Sequence, residues 1–262
     1  MKTIAPQTTD TFLEEAALKF RKADHPVALT GAGISVASGI ADFRSRGGLW
    51  SRFSPEEYAT LQVFLDNPEK AWKLYRTLGR ELQDKKPNKA HLVLAELEKQ
   101  HLLEGIVTQN IDNLHQAAGS SNVLEIHGDH NHLHCLQCGD RIEVRADHFT
   151  KSNIPRCSLC DYPLKPNIVL FGEQVHNLDS IQELIRSCDL LLVIGTSAQV
   201  YPAATLPHTV KQQGGLVYEF NREQTLSTSG LLGHFPLSDY FFHGDLGTTL
   251  PLFGAAVLHL NS

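Results

Sequence analysis

The chain has 262 residues, which at roughly 150 residues per domain allows one or two units with a full core and no need of disulfide staples. Apolar residues make up 42% and charged residues 20%, and the longest strictly apolar run, Leu190–Ile194, falls far short of the roughly 20 residues of a membrane span, so a disordered chain and a membrane protein are both excluded. With Lys+Arg 23 against Asp+Glu 29 the formal net charge is −6, which offers no basic field to a phosphate backbone and argues against nucleic acid as the principal partner. The first fifteen residues hold one Lys, no apolar segment and the acids Asp10, Glu14 and Glu15. That fits neither a secretory signal nor an Arg-rich transit peptide, and the expected location is the cytoplasm.

Apolar residues at helical spacing from Phe12 to Phe20 predict a first helix, capped by Asp10 or Thr11. Pro26–Thr30 then reads as a buried strand turning tightly at Gly31-Ala32-Gly33. The same grammar recurs as helix 88–101 with strand 105–108, helix 180–187 with strand 189–194, and helix 203–213 with strand 216–220. Pro207 should kink the last of these helices or mark its true start. Helices alternating with continuous apolar strands predict an α/β fold with a doubly wound parallel sheet. Two stretches break the alternation. Residues 54–86 are helical in pattern without a strand, and residues 130–164 carry four of the five cysteines. Residues 1–53, 87–129 and 165–262 are therefore expected to form the sheet domain, with 54–86 as a helical insert and 130–164 as a metal ribbon making a smaller one.

Cys135-x-x-Cys138 and Cys157-x-x-Cys160, separated by 18 residues, have zinc-ribbon spacing, and Gly139 suits the turn of the first knuckle. Four protein thiolates leave no open position for a substrate, so the expected zinc is structural. His130, His132 and His134 read as solvated loop residues beside it, and Cys188 as a small buried hydrophobe.

Gly31-Ala32-Gly33 is half of a dinucleotide fingerprint, since the third glycine would fall at Val36. Its place after a strand, followed by Ile34-Ser35 opening a helix, would aim backbone N–H groups at a diphosphate. A second such turn, Gly195-Thr196-Ser197, follows strand 189–194, and Asn221 follows strand 216–220. Together they predict a ligand crevice at the C-terminal edge of the sheet. A loop, Ser38-Gly39-Ile40-Ala41-Asp42-Phe43-Arg44-Ser45, looks suited to cover a cofactor. Thr108-Gln109-Asn110-Ile111-Asp112 and the pair His127-Gly128 fall at the same edge. A lone histidine is more often structural than a base, but four polar clusters converging on one edge favour a reactive site.

These motifs, with Lys165-Pro166, Phe171-Gly172-Glu173 and the four cysteines, resemble the sirtuins, NAD-dependent protein lysine deacylases, over residues 25 to 250 or so. The resemblance implies a Rossmann-like NAD domain, NAD as cosubstrate, one structural Zn2+ and acyl-lysine proteins as substrates. It implies His127 as general base, Asn110 and Asp112 as positioning the nicotinamide end and its ribose, Arg44 as a phosphate contact and Phe43 as a shield for the reacting carbon. Further NAD contacts are implied at Gly31, Ala32, Gly33, Ile40, Asp42, Gln109, Ile111, Gly195, Thr196, Ser197, Asn221 and Leu246. The peptide would lie extended between Val169, Phe171, Gly172 and Glu173 on one side and Val200 and Tyr201 on the other, adding a strand. Ala41 stands where the family commonly has Pro, which should loosen that loop slightly.

Acyl selectivity is expected on the helical insert. Sirtuins that take succinyl, malonyl or glutaryl groups carry Tyr-x-x-Arg there; here Tyr75 matches, but Leu78 stands in place of Arg, with Arg76 and Arg80 turned off that face. A preference for acetyl or another neutral acyl group follows. Three alternatives compete with deacylation: a mono-ADP-ribosyltransferase using the same site, a zinc-ribbon adaptor binding NAD without catalysis, and a dehydrogenase. The last is disfavoured by the missing third glycine and by the lack of an acid about 20 residues on.

Overall fold

The computed structural model describes residues 1–5, 11–43, 47–230 and 233–260. Its strands in chain order are β1 (Lys2–Ile4), β2 (Pro26–Thr30), β3 (Gly105–Thr108), β4 (Val123–Glu125), β5 (Gly128–Cys135), β6 (Arg141–Glu143), β7 (Leu164–Ile168), β8 (Leu190–Ile194), β9 (Leu216–Asn221), β10 (Ser227–Gly230), β11 (Gly233–Pro236) and β12 (Tyr240–His243). Seven of them form one sheet in the order β1-β12-β9-β8-β2-β3-β4, and every pairing in it is parallel. The chain runs outward from β2 to β3 and β4, then returns to build β8, β9 and β12 on the other side. The reversal falls between β2 and β8, and such a switch point leaves a crevice beyond the strand ends.

The apolar runs that predicted these strands are explained by burial on both faces. Ala28, Leu192, Ile194, Tyr218 and Phe220 join a core with Phe20, Leu94, Leu97 and Phe253 from helices 11–21, 89–99 and 246–259. Their neighbours in sequence, Val27, Leu29, Leu191, Val193 and Val217, join a second core with Ile181, Ile185 and Val210 from helices 178–187 and 206–212. Alternation by two along each strand thus supplies two cores, one per face. Pro207 occupies the first turn of Leu206–Gln212, after a separate 3-10 turn Ala203–Thr205, so it marks the start of that helix. Asp10, an expected cap, lies outside the described residues; Thr11 opens the first helix.

A third core is built apart from the sheet. Residues 54–86 form helices Pro55–Tyr58, Leu61–Asp66 and Pro68–Leu82. Their Phe64, Trp72 and Tyr75 pack with Leu133, Phe149, Leu164 and Leu170, and Trp72 Nε1 donates to the Leu164 carbonyl at 2.8 Å. The three-stranded sheet β6-β5-β7 carries the cysteine knuckles. One expectation is corrected here. His130, His132 and His134 are not solvated loop residues: they lie on β5 and are half-buried. His132 is paired with the buried carboxylate of Asp129 at 2.6 Å, and His130 stacks on Phe149 with centroids 4.8 Å apart. β1, β12 and the helix Leu246–His259 complete the fold beyond the elements expected from the sequence; the helix buries Leu246, Leu250, Phe253 and Val257 at helical spacing.

Candidate active site and metal centre

The turn after β2 is not the start of an α-helix as expected but a 3-10 helix, Ala32–Ser38. Its glycines are required by contact with another turn. A Cβ on Gly33 would lie 2.7 Å from the Gly195 Cα, and one on Gly31 would lie 2.8 Å from the Gly195 carbonyl oxygen. Gly195 itself has φ +61, where only glycine is unstrained. The turns after β2 and β8 are thus nested backbone against backbone, and Gly33 N–H donates to the Gly195 carbonyl at 2.9 Å. The two motifs meet at the switch point of the sheet.

Around that nest the strand ends are cross-linked by side chains. Gln109 Nε2 donates to Thr196 Oγ1 at 2.9 Å, and Asn221 Nδ2 donates to the Thr196 carbonyl at 3.1 Å. Asn110 Nδ2 donates to the Gly31 carbonyl and reaches Ser35 Oγ, each at 3.2 Å. Ser35 Oγ in turn donates to Asp112 Oδ2 at 2.6 Å, while Leu114 N–H holds Asp112 Oδ1 at 3.0 Å. Burial pushes the Asp112 carboxyl above its ordinary value against these hydrogen bonds. Behind Asn110, the Thr108 hydroxyl accepts from both the Asn110 N–H and Thr30 Oγ1, and His115 Nε2 lies 2.9 Å from Thr30 Oγ1. Since the Thr30 proton goes to Thr108, the His115 Nε2–H is the donor in that contact.

A hollow opens beside this network, lined by Ala32, Ser35, Ile40, Phe43, Leu78, Asn110, Ile111 and Asp112. Phe43 packs on Trp50 with centroids 5.3 Å apart, and Asp42 accepts the Leu49 N–H on its carbonyl. Arg44 lies outside the described residues. Ser197 follows Thr196 in the turn after β8, and Leu246 opens the helix Leu246–His259. Tyr75 is not part of this lining; it is fully buried between Phe64 and Trp72. Arg76 donates to the carbonyls of Lys151 at 3.0 Å and Ser152 at 2.6 Å, beside the metal ribbon.

His127 sits between β4 and β5, and its Nδ1 lies 3.0 Å from the carbonyl oxygen of Gln109. A carbonyl only accepts, so Nδ1 carries the proton and Nε2 keeps a lone pair. Burial holds the imidazole below its ordinary pKa, with the Gln109 hydrogen bond opposing it, which keeps the ring neutral at pH 7. The His127 carbonyl accepts from the Val169 N–H at 2.9 Å. Phe171 pairs its backbone with Ala59 and Leu61, and its side chain is exposed, as is that of Tyr201. The Val200 carbonyl accepts the Ala204 N–H at 2.9 Å.

The four cysteines Cys135, Cys138, Cys157 and Cys160 bring their Sγ atoms within 4.8 Å of one another. Three of the pairs stand 3.5–3.6 Å apart, close to the edge of about 3.8 Å in a tetrahedron with 2.3 Å Zn–S bonds. The two knuckles repeat one geometry: Gly139 N–H donates to the Cys135 carbonyl and Asp161 N–H to the Cys157 carbonyl, each at 3.0 Å, and both residues have positive φ, +78 and 58. The donors therefore fit a structural zinc. Cys188 is buried away from them, as expected.

The family model described as the Sir2 family matches residues 31–202, beginning at the first glycine of the nested turns. The chain belongs to the Sir2 family. It is 39% identical over 245 residues to an NAD-dependent protein deacylase of Pyrococcus furiosus, covering 91% of this chain and 95% of that protein. A solved Sir2 homologue–NAD complex superposes with a TM-score of 0.85 at 38% identity, over 96% of this chain and 94% of that one. Sir2Af2 bound to a myristoylated histone peptide gives a TM-score of 0.76 at 36% identity, over 95% and 97%. Ser35 and Asp129 are the site and near-site residues that the sequence reading left without a role. Ser35 was visible inside Gly-Ala-Gly-Ile-Ser, but nothing in its spacing pointed to Asp112. Asp129 collects His132, Arg141 and Asn167, a convergence created by the pairing of β5 with both β6 and β7.

Proposed function

We propose that this Sir2-family chain is an NAD-dependent protein lysine deacylase that favours acetyl or another neutral acyl group and yields nicotinamide, 2′-O-acyl-ADP-ribose and free lysine. The observation that carries this reading is the His127–Gln109 contact, because it presents an unprotonated Nε2 at the strand edge where the polar clusters meet. NAD, when bound, supplies a glycosidic bond whose cleavage exposes a ribosyl carbon to the acyl carbonyl oxygen. His127 Nε2 then takes a proton from a ribose hydroxyl, and the Gln109 carbonyl steadies the imidazolium that results. Asn110 and Asp112, held by Gly31 and Ser35, orient the nicotinamide end and its ribose. Phe43, Ile111 and Leu78 give that hollow an apolar side opposite its polar groups, which would shield the reacting carbon from water.

The relative named as an NAD-dependent protein deacylase supports the reaction class, and the myristoylated peptide bound to Sir2Af2 supports long aliphatic acyl groups. The lean against succinyl rests on Leu78 in the lining and on Arg76, whose guanidinium is engaged by the Lys151 and Ser152 carbonyls. The zinc, held by the four cysteines, would fix the β5–β7 ribbon. We read the chain as two lobes, with residues 54–86 and 130–164 forming the smaller one around its own core. The test is nicotinamide release: with NAD and an acetyl-lysine peptide it should match deacylated peptide one to one. Release without loss of the acyl group would favour ADP-ribose transfer or simple hydrolysis instead.

A further inference from the structure

Lys165 is 1% exposed, the most deeply buried ammonium among the described residues. Its three donors meet three acceptors: the Ile168 carbonyl at 2.7 Å, the Pro166 carbonyl at 3.2 Å and Glu173 Oε2 at 3.1 Å. All three lie in one stretch, residues 166–173. Glu173 then closes the stretch on itself, its Oε2 accepting the Leu170 N–H at 2.7 Å and its own N–H donating to the Leu170 carbonyl at 2.9 Å. β7 ends at Ile168, so the residues beyond it have no ladder to fix their course except one bridge to Thr60.

That stretch holds two other parts of the molecule in register, the turn at His127 and residues 59–61 of the helical insert. Val169 N–H donates to the His127 carbonyl, Phe171 N–H to the Ala59 carbonyl, and Leu61 N–H to the Phe171 carbonyl. A buried ammonium is strongly unfavourable unless fully paired. Here two of its partners are carbonyls at the end of β7 and the third is Glu173, which returns from the irregular segment beyond that strand, so the charge ties the course of that segment to the strand end.

We infer that the Lys165–Glu173 pair is a positioning device that pre-shapes residues 166–173 to receive the acyl-lysine peptide beside His127; this rests on the deacylase reading above. Lys165 does not touch the peptide. It acts through the backbone it holds, and preorganisation of this kind shows in binding of the ligand that docks on the segment.

The test compares wild type, Lys165→Met, Glu173→Gln and the double variant, measuring kcat and KM for an acetyl-lysine peptide, KM for NAD, and thermal melting. The expected result is a peptide KM raised about tenfold in each single variant, with kcat and the NAD KM changed less than about threefold. The double variant should be no worse than the worse single, because the pair acts as a unit. A merely structural pair would lower melting and the active fraction, reducing kcat while leaving the peptide KM where it was; that outcome overturns the inference. Should Lys165→Met fail to fold, Glu173→Gln alone decides, an unchanged peptide KM counting against it. Wild-type protein that processes no acyl-lysine peptide overturns the deacylase reading and this inference together, whereas an active wild type with variants of unchanged KM overturns the inference alone.

Discussion

The Nδ1 of His127 lies 3.0 Å from the carbonyl oxygen of Gln109, so the backbone of one residue at the strand edge fixes the tautomer of another. The chemistry proposed for the chain turns on that orientation. His127→Ala should abolish deacylation, by at least about 10²–10⁴ in rate, while the affinity for NAD stays within about tenfold. Steady-state deacylation and NAD titration of the variant check it, and near wild-type turnover would remove the histidine from its role.

The same residue sets the acid limb of the pH profile. The reactive form is neutral, and burial holds the pKa of His127 below its ordinary value. As pH falls, kcat/KM should therefore persist to a pH lower than the roughly 6.5 of a free imidazole before it declines. A limb at or above that value in the free enzyme would mean that the burial seen here does not govern the titration.

A second titration concerns stability. His115 and His91 pack ring to ring with centroids 5.0 Å apart, and burial pushes their pKa values down to about 3 and about 4. Between those values and about 6.5 the unfolded chain binds protons that the folded chain refuses, so stability must fall as pH drops through this window, by about 1.4 kcal/mol per pH unit for each group. Denaturant midpoints from pH 7 to pH 4.5 check this. The slope should be shallower in His91→Gln than in wild type at matched zinc, and equal slopes would refute the assignment.

Removing the metal should act through the fold. Cys157→Ser, or chelation, should lower the melting temperature on the order of 10 °C and take activity with it, because metal-ligand energy is folding energy in such ribbons. Metal analysis with calorimetry checks it; full activity and unchanged melting in metal-free protein would contradict a structural role.

Acyl selectivity is the finer prediction. With Leu78 in the lining and Arg76 turned to the Lys151 and Ser152 carbonyls, an acyl carboxylate finds no cation beside it among the described residues, at roughly 1–3 kcal/mol. Competing acetyl-, butyryl- and succinyl-lysine on one peptide should show succinyl disfavoured tenfold or more. A higher kcat/KM for succinyl would mean that Arg76 or Arg80 reaches the acyl group.

What could be read in the sequence was what depends on local order. The strands Pro26–Thr30, Gly105–Thr108 and Leu216–Phe220 announced themselves because both their faces are buried, and the cysteine knuckles because two residues separate each pair of ligands. The nest of Gly31 and Gly33 against Gly195 was legible only as two separate turns; their close approach, which leaves no room for a Cβ, depends on β2 and β8 being neighbours, a pairing of residues 164 positions apart, such as Val27 with Leu191, that no local pattern encodes. The three histidines of β5 were misread for a related reason. Their burial comes from β7 and from Phe149 folding over the strand, not from the polar sequence around them. Lys165 shows the limit most plainly, since a lysine beside a proline looks like surface until Glu173 returns to meet it.

The central claim is that acyl removal and NAD cleavage are one reaction at the edge where His127, Asn110 and Asp112 meet. Mass spectrometry of a single reaction containing wild-type protein, NAD and an acetyl-lysine peptide tests it directly. The account predicts free lysine peptide and 2′-O-acetyl-ADP-ribose in equal amounts with nicotinamide, and neither product without NAD. Acyl removal that releases free acetate without consuming NAD, or ADP-ribose appearing on the peptide in place of acyl transfer, would contradict it.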